Sequence, residues 1–226
     1  MRMSRLTVLP FLALAAMSAA AQTPAHWTAG ENYFPIVPAQ PTNLPPGKVL
    51  VTEVFSYACP ACYQFYPVAD RLRESLPANA ELNFVPAGFN PAEDWPVFQR
   101  AYLTAQVLGI AAKHHDAMFN AVWKSGELAV EDTTTNRLKD PLPTIEDVAK
   151  FYQRVAGVDA ARFVATANSF SIELKIKRAD AYITACQVDS TPTIIVNGKY
   201  RLNVQSAGGY DQTIQLVKYL VARESR

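Results

Sequence analysis

The stretch Val54–Tyr66, VFSYACPACYQFY, constrains this chain more than any other. An apolar run of strand character turns into Cys59-Pro60-Ala61-Cys62, and a helical pattern follows. A cysteine at a helix N-terminus faces backbone N–H groups without intrahelical partners and the positive end of the helix dipole. Both favour thiolate over thiol and lower the pKa. Pro60 suits the first helical turn, since its fixed φ matches a helix and its missing N–H is not needed there. Cys59 and Cys62 stand three apart on one helix face, so they can close a tight disulfide. A C-x-x-C pair by itself fits a metal site or chance as well as redox chemistry. The β-rich run before it, the helical run after it and the downstream strand opened by Thr191-Pro192 favour redox chemistry.

The first residues read as an export signal rather than as part of the fold. Arg2 and Arg5 give a basic start, Leu6 to Met17 is an apolar run interrupted by Pro10, and Ala19-Ala20-Ala21 has the small-residue pattern of a signal-peptidase site. Cleavage is expected after Ala21, with the mature protein in the periplasm. The apolar run is shorter than the roughly 20 residues a membrane span needs. No cysteine lies at the cleavage site, which argues against a lipoprotein. Loss of residues 1–21 removes two arginines and no acid, moving the formal charge from +1 to −1. A chain so near neutrality has no general electrostatic pull on nucleic acid or on a membrane surface. Three cysteines in an exported chain are too few for a disulfide-stapled scaffold. They fit one working pair, with Cys186 left over in a helical run and expected to be a buried, inert thiol.

Further along, Pro35 and Pro38 confine a short strand at Tyr33–Val37 to an edge, and a proline-rich loop follows. Lys48–Phe55 is a strand apolar on both faces, as a central strand of a covered sheet should be. Glu53 interrupts it. That carboxylate either reaches solvent from a strand end or is a desolvated acid with a raised pKa that passes protons to and from the dithiol. A helix runs from Cys59 to Leu76 with Phe65, Val68 and Leu72 inward and a kink expected at Pro67. Ala80–Val85 is the next strand. Residues 90–188 are helical in period, with helices expected at Trp95–Leu108, Ala111–Trp123, Ile145–Ala156, Ala160–Ala167 and Phe170–Cys186, and the polar stretch Glu131–Pro143 is expected as an exposed loop. Thr193–Val196 and Lys199–Leu202 form a hairpin through Asn197-Gly198. A last amphipathic helix covers Tyr210–Arg223. A helical block thus interrupts a small αβ domain.

FSYACPACYQF at Phe55–Phe65 and TPTIIVNGKYRL at Thr191–Leu202 resemble the DsbA family of exported thiol–disulfide oxidoreductases within the thioredoxin superfamily. The order of elements is similar over nearly all the mature chain. The resemblance implies an α/β thioredoxin fold, residues 22–89 and 189–226, with an inserted all-helical domain, residues 90–188. It implies that Cys59 is the exposed reactive thiol and Cys62 its buried partner. Pro192 matches the family's cis-proline, which would aim the Thr191 backbone at the substrate chain as in strand addition. Glu53 matches an acidic position of the family. The lysine that usually accompanies it falls near Asn79 here. Pro60 and Ala61 border the dithiol, and Tyr57 and Phe65 could line a groove for polypeptide, or in the case of Phe65 fill the core. The family's best-known motif is Cys-Pro-His-Cys, and Ala61 stands in place of the histidine, so a less oxidising dithiol is expected. The implied partners are reduced or unfolded exported polypeptides and a DsbB-like membrane quinone reductase. No metal, cofactor or nucleic acid is implied, and a monomer is the default.

Rival readings differ in what they require. An exported reductase or isomerase would use the same dithiol in the opposite sense, though no dimerisation domain is visible. A metal-binding module would need ligands beyond Cys59 and Cys62, and the adjacent His114 and His115 point to different helix faces. A holdase acting through the helical block would work without Cys59.

Overall fold

The computed structural model describes residues 27–225 except 133 and 136. The expected export signal lies outside the described residues. The organising strand is β2, Val49–Phe55, which is almost wholly buried. It follows β1, Phe34–Pro35, and leads through a tight turn into α1, Pro60–Ser75. β3, Ala80–Pro86, runs parallel to β2, with Phe84 opposite Glu53. Late in the chain, β6 (Thr193–Val196) and β7 (Tyr200–Asn203) complete a five-stranded sheet of order β1-β7-β6-β2-β3. The β2–β6, β6–β7 and β7–β1 pairings are antiparallel.

The apolar pattern of β2 is explained by cover on both faces. Val49 and Val51 pack with Phe65, Val68 and Leu72 of α1 and with Leu216 and Leu220 of the last helix, α8, Tyr210–Glu224. Val54 and Ile195 pack on the other face against Ile183 and Cys186. α1 ends at Ser75, one residue earlier than its sequence pattern. Leu76 has an extended ψ of 143° because the residue before Pro77 is pushed out of helical backbone.

Between β3 and β6 the chain is mainly helical. α2 covers Trp95–Val107, α3 His115–Trp123, α4 Ile145–Ala156, α5 Ala160–Ala167 and α6 Phe170–Ala185. α4 opens on a reciprocal Thr144–Asp147 capping box, α5 on the Asp159 side chain and α6 on that of Ser169; each supplies an acceptor to otherwise unpaired N–H groups. Two departures from the sequence pattern occur. A tight 3-10 turn at Ala112–His114 precedes α3, where one continuous helix was expected. The polar stretch expected as a loop holds a small hairpin, β4 (Glu131–Asp132) with β5 (Arg137–Leu138), so the inserted region is not purely helical.

The β6–β7 turn has φ of 53° at Asn197 and 63° at Gly198, the double positive φ of a type I′ turn. A short helix, α7 (Val204–Ala207), follows β7 before α8.

One hydrophobic core joins the sheet to the helical region. Phe55, Tyr57, Cys59 and Cys62 belong to the same buried cluster as Phe98, Tyr102, Phe119 and Tyr152. The cysteines therefore sit where the sheet, α1 and the inserted helices meet.

Candidate active site

Cys59 is the N-cap residue of α1 and Pro60 its first helical residue. The preceding turn is held by Cys59 N–H donating to the Ser56 carbonyl at 3.2 Å, and by Ala58 N–H donating to Ser56 Oγ at 3.2 Å. Both cysteines are free thiols. Cys62 is sealed at 0% exposure, and Cys59, expected to be the exposed thiol, retains only 5%. The helix wall and the loop before β6 cover it. Pro60 and Ala61 beside it are exposed.

The loop before β6 brings Thr191 to the dithiol, and the Thr191–Pro192 bond is cis. The Cys59 thiol donates to the Thr191 carbonyl at 3.5 Å. The two thiols are strongly unequal. Cys59 is lowered to about 6, first by the Cys62 thiol donating to its sulfur, then by the Thr191 side chain and the Cys62 and Ala61 amides, against the opposing cost of burial. Cys62 is pushed well above the ordinary thiol value, by burial first and then by its hydrogen bond and proximity to Cys59.

Glu53 lies beneath this pair at 1% exposure, which excludes a strand-end charge reaching solvent. Among the described residues its Oε2 finds no hydrogen-bond partner. Burial raises its pKa to about 8, the Arg73 guanidinium of α1 opposes the rise, and negative charge on Cys59 adds to it. Asn79 is not near this carboxyl. It sits half-buried just before β3, where its side-chain amide donates to the Gly47 carbonyl at 3.1 Å and to Ser225 Oγ at 2.8 Å.

Tyr57 does not line a groove. It is 1% exposed, its hydroxyl is 2.9 Å from His115 Nδ1 and its carbonyl accepts from Trp123 Nε1 at 2.7 Å. It fastens the loop carrying Cys59 to α3. Phe65 is fully buried in the sheet–α1–α8 core. His115 itself is driven down to about 3, mainly by burial, and is a neutral ring packed 5.0 Å from Phe55. Sequence reasoning missed His115 and Trp123 as supports of the site. Cys186 is buried and raised to about 11 by its surroundings, far from thiolate character at neutral pH.

A strand, a helix opened by two unequal thiols and a cis-proline loop facing them define a dithiol oxidoreductase of the thioredoxin fold. Comparisons with known proteins narrow the class. Residues 45–215 match the family model described as Thioredoxin. The chain is 34% identical over 222 residues to the thiol:disulfide interchange protein DsbA of Pseudomonas aeruginosa, covering 98% of this chain and 97% of that protein. It is 33% identical over 205 residues to the DsbA of Azotobacter vinelandii, covering 89% and 86% of the two chains. Among solved structures it is similar to Pseudomonas aeruginosa DsbA, with 35% identity, a TM-score of 0.73 and 88% and 94% of the chains covered. The oxidoreductase DsbA of Xylella fastidiosa gives 33%, 0.75, 86% and 96%. The chain belongs to the DsbA family and is a thiol–disulfide oxidoreductase.

Proposed function

We propose that the oxidised enzyme donates its Cys59–Cys62 disulfide to reduced polypeptides reaching the periplasm. The observation that carries this reading is the inequality of the thiols: one at about 6 with a small opening, the other sealed and raised. A substrate thiolate attacks the Cys59 sulfur. The Cys59–Cys62 bond breaks as the substrate–Cys59 bond forms, and Cys62 leaves with the electron pair. Cys62 needs a proton at neutral pH. Glu53, which holds its proton up to about pH 8, is the acid placed to supply it. A second substrate thiolate then attacks the substrate sulfur of the mixed disulfide and expels Cys59. Expulsion of a thiolate with so low a pKa is fast and favourable. The Thr191 backbone beside Cys59 receives the substrate chain, with Pro60 and Ala61 as the exposed border of the site. Reoxidation of the dithiol returns two electrons to a DsbB-like membrane quinone reductase.

Three further assignments belong to this reading. Residues 1–21 direct export and are removed; residues 22–89 with 189–226 form the thioredoxin-like domain around an inserted domain at 90–188; and the enzyme works as a monomer. The deciding experiment is a titration of the Cys59/Cys62 pair in glutathione buffers. A potential well above the glutathione couple is the expected result for a disulfide donor. A potential in the thioredoxin range, about −270 mV, would make the enzyme a reductase instead.

A further inference from the structure

The outer edge of β3 is left unused by the redox chemistry. Among the described residues β3 pairs with β2 alone. At its two ends, Val49 N–H donates to the Asn79 carbonyl and Ala87 N–H donates to the Phe55 carbonyl, so the odd-numbered residues turn their backbone groups toward β2. Backbone groups alternate along a paired strand, which sends those of Leu82, Phe84 and Pro86 outward. The Pro86 carbonyl confirms the parity, because Gln99 Nε2 of α2 donates to it at 3.1 Å and closes that end. No hydrogen bond from the described residues reaches the N–H or C=O of Leu82 or Phe84. Two donors and two acceptors thus stand open in a row.

Two cavities meet along this row. One of about 490 Å³ is bounded by Arg73, and one of about 230 Å³ lies between β3, α2 and α6 and is bounded by Lys175 and Arg178; both share Asn83, Phe84 and Gln106. No carboxylate of the described residues lines either cavity. Arg73 has a partner in Asp70. Lys175 and Arg178 pair with no carboxylate among the described residues. Their acidic neighbours on α6 are engaged elsewhere, Glu173 with Arg100 and Asp180 with Gln99. An open edge flanked by unpaired cations has both the hydrogen-bonding pattern of a missing strand and a preference for negative charge.

The geometry points to a docking site for an extended acidic segment of a partner polypeptide, added as a sixth strand beside β3 with its carboxylates on Lys175 and Arg178. The segment needs about three to five residues, at roughly 3.3 Å each, to pair with Leu82 and Phe84. It needs no thiol.

The test uses the purified protein with ¹⁵N-labelled backbone and a capped heptapeptide alternating threonine and glutamate. Saturable shifts centred on the Leu82 and Phe84 amides are expected. The glutamine version should bind at least fivefold more weakly, and the Lys175→Glu/Arg178→Glu double variant should lose a similar factor with its redox potential unchanged. A peptide N-methylated at alternate residues, with its charge intact, should not bind. Equal binding by the methylated peptide would reduce the site to loose ion pairing and overturn strand addition. Shifts confined to Cys59 and Thr191 would place the peptide in the redox site and also overturn it. No shift at all would leave the cations as guards against edge pairing, and the proposal would fail.

Discussion

At the scale of single residues, two acids are displaced from their ordinary range, Cys59 downward and Glu53 upward, and the proposed mechanism rests on both. With Cys59 at about 6, reduction takes up two protons below that pH and one above it. The slope of the reduction potential should therefore change from about 60 to about 30 mV per pH unit near pH 6, which redox titrations between pH 4.5 and 8 will show. Ala61 leaves the thiolate without a neighbouring cation. Ala61→His should lower the Cys59 pKa further and raise the potential, and about 1.4 kcal/mol of added thiolate stabilisation corresponds to about 30 mV. Thiolate absorbance and glutathione titration of the variant check both. For Glu53 the sign runs the other way. The folded protein keeps the proton up to about pH 8 while the unfolded chain releases it at its ordinary value of 4.5, so this residue subtracts stability as pH rises through that window. In the oxidised protein, Glu53→Gln should be more stable than the parent by on the order of 2–4 kcal/mol at pH 8.5 and nearly equal to it at pH 4. Chemical denaturation at the two pH values measures the difference, and an equal gain at both would mean ionisation is not its source.

At the scale of elements, the β6–β7 turn is the most constrained. Gly198 has φ of 63°, and a Cβ there would lie 2.0 Å from the Gln40 carbonyl oxygen. Gly198→Ala should cost about 2–4 kcal/mol from backbone strain and collision together, seen as a lower denaturation midpoint with the Cys59 pKa unchanged. That turn was legible from Asn197-Gly198, and so were Ile145–Ala156, Ala160–Ala167 and Thr193–Val196 to the residue. In each helix the cap residue and the apolar period agree, which fixes the start. The β4–β5 strands, two residues each, and the four-residue α7 are too short for any period to register. The placing of the C-x-x-C pair at the start of α1 was legible because the strand-to-helix change and the Pro60 signal act locally. Tyr57 was not. Whether an aromatic beside the dithiol faces a groove or the core is decided by His115 and Trp123, 58 and 66 residues away. The depth of Glu53 was likewise undecided until α1 and the inserted helices covered that face of β2.

At the scale of the whole molecule, Phe55 is where the sheet and the inserted helices meet. Its ring lies 5.1 Å from Tyr57 and Tyr102 and 5.7 Å from Phe84. Phe55→Ala should cost about 3–5 kcal/mol, and because one core spans both regions, loss should appear in a single transition with coincident tryptophan fluorescence and far-ultraviolet circular dichroism. Separate transitions would show two independently melting units. The contact between Cys59 and Thr191 also has a consequence in time. The two residues are 132 positions apart, and β6 and β7 follow the second. A chain made from its N-terminus at roughly 5–20 residues per second presents its two thiols about ten seconds before the loop that faces them exists. During that interval β2 has no neighbour on one side and Cys59 lacks Thr191. The contact that completes the site is therefore among the last the growing chain can make, 132 positions after the first thiol.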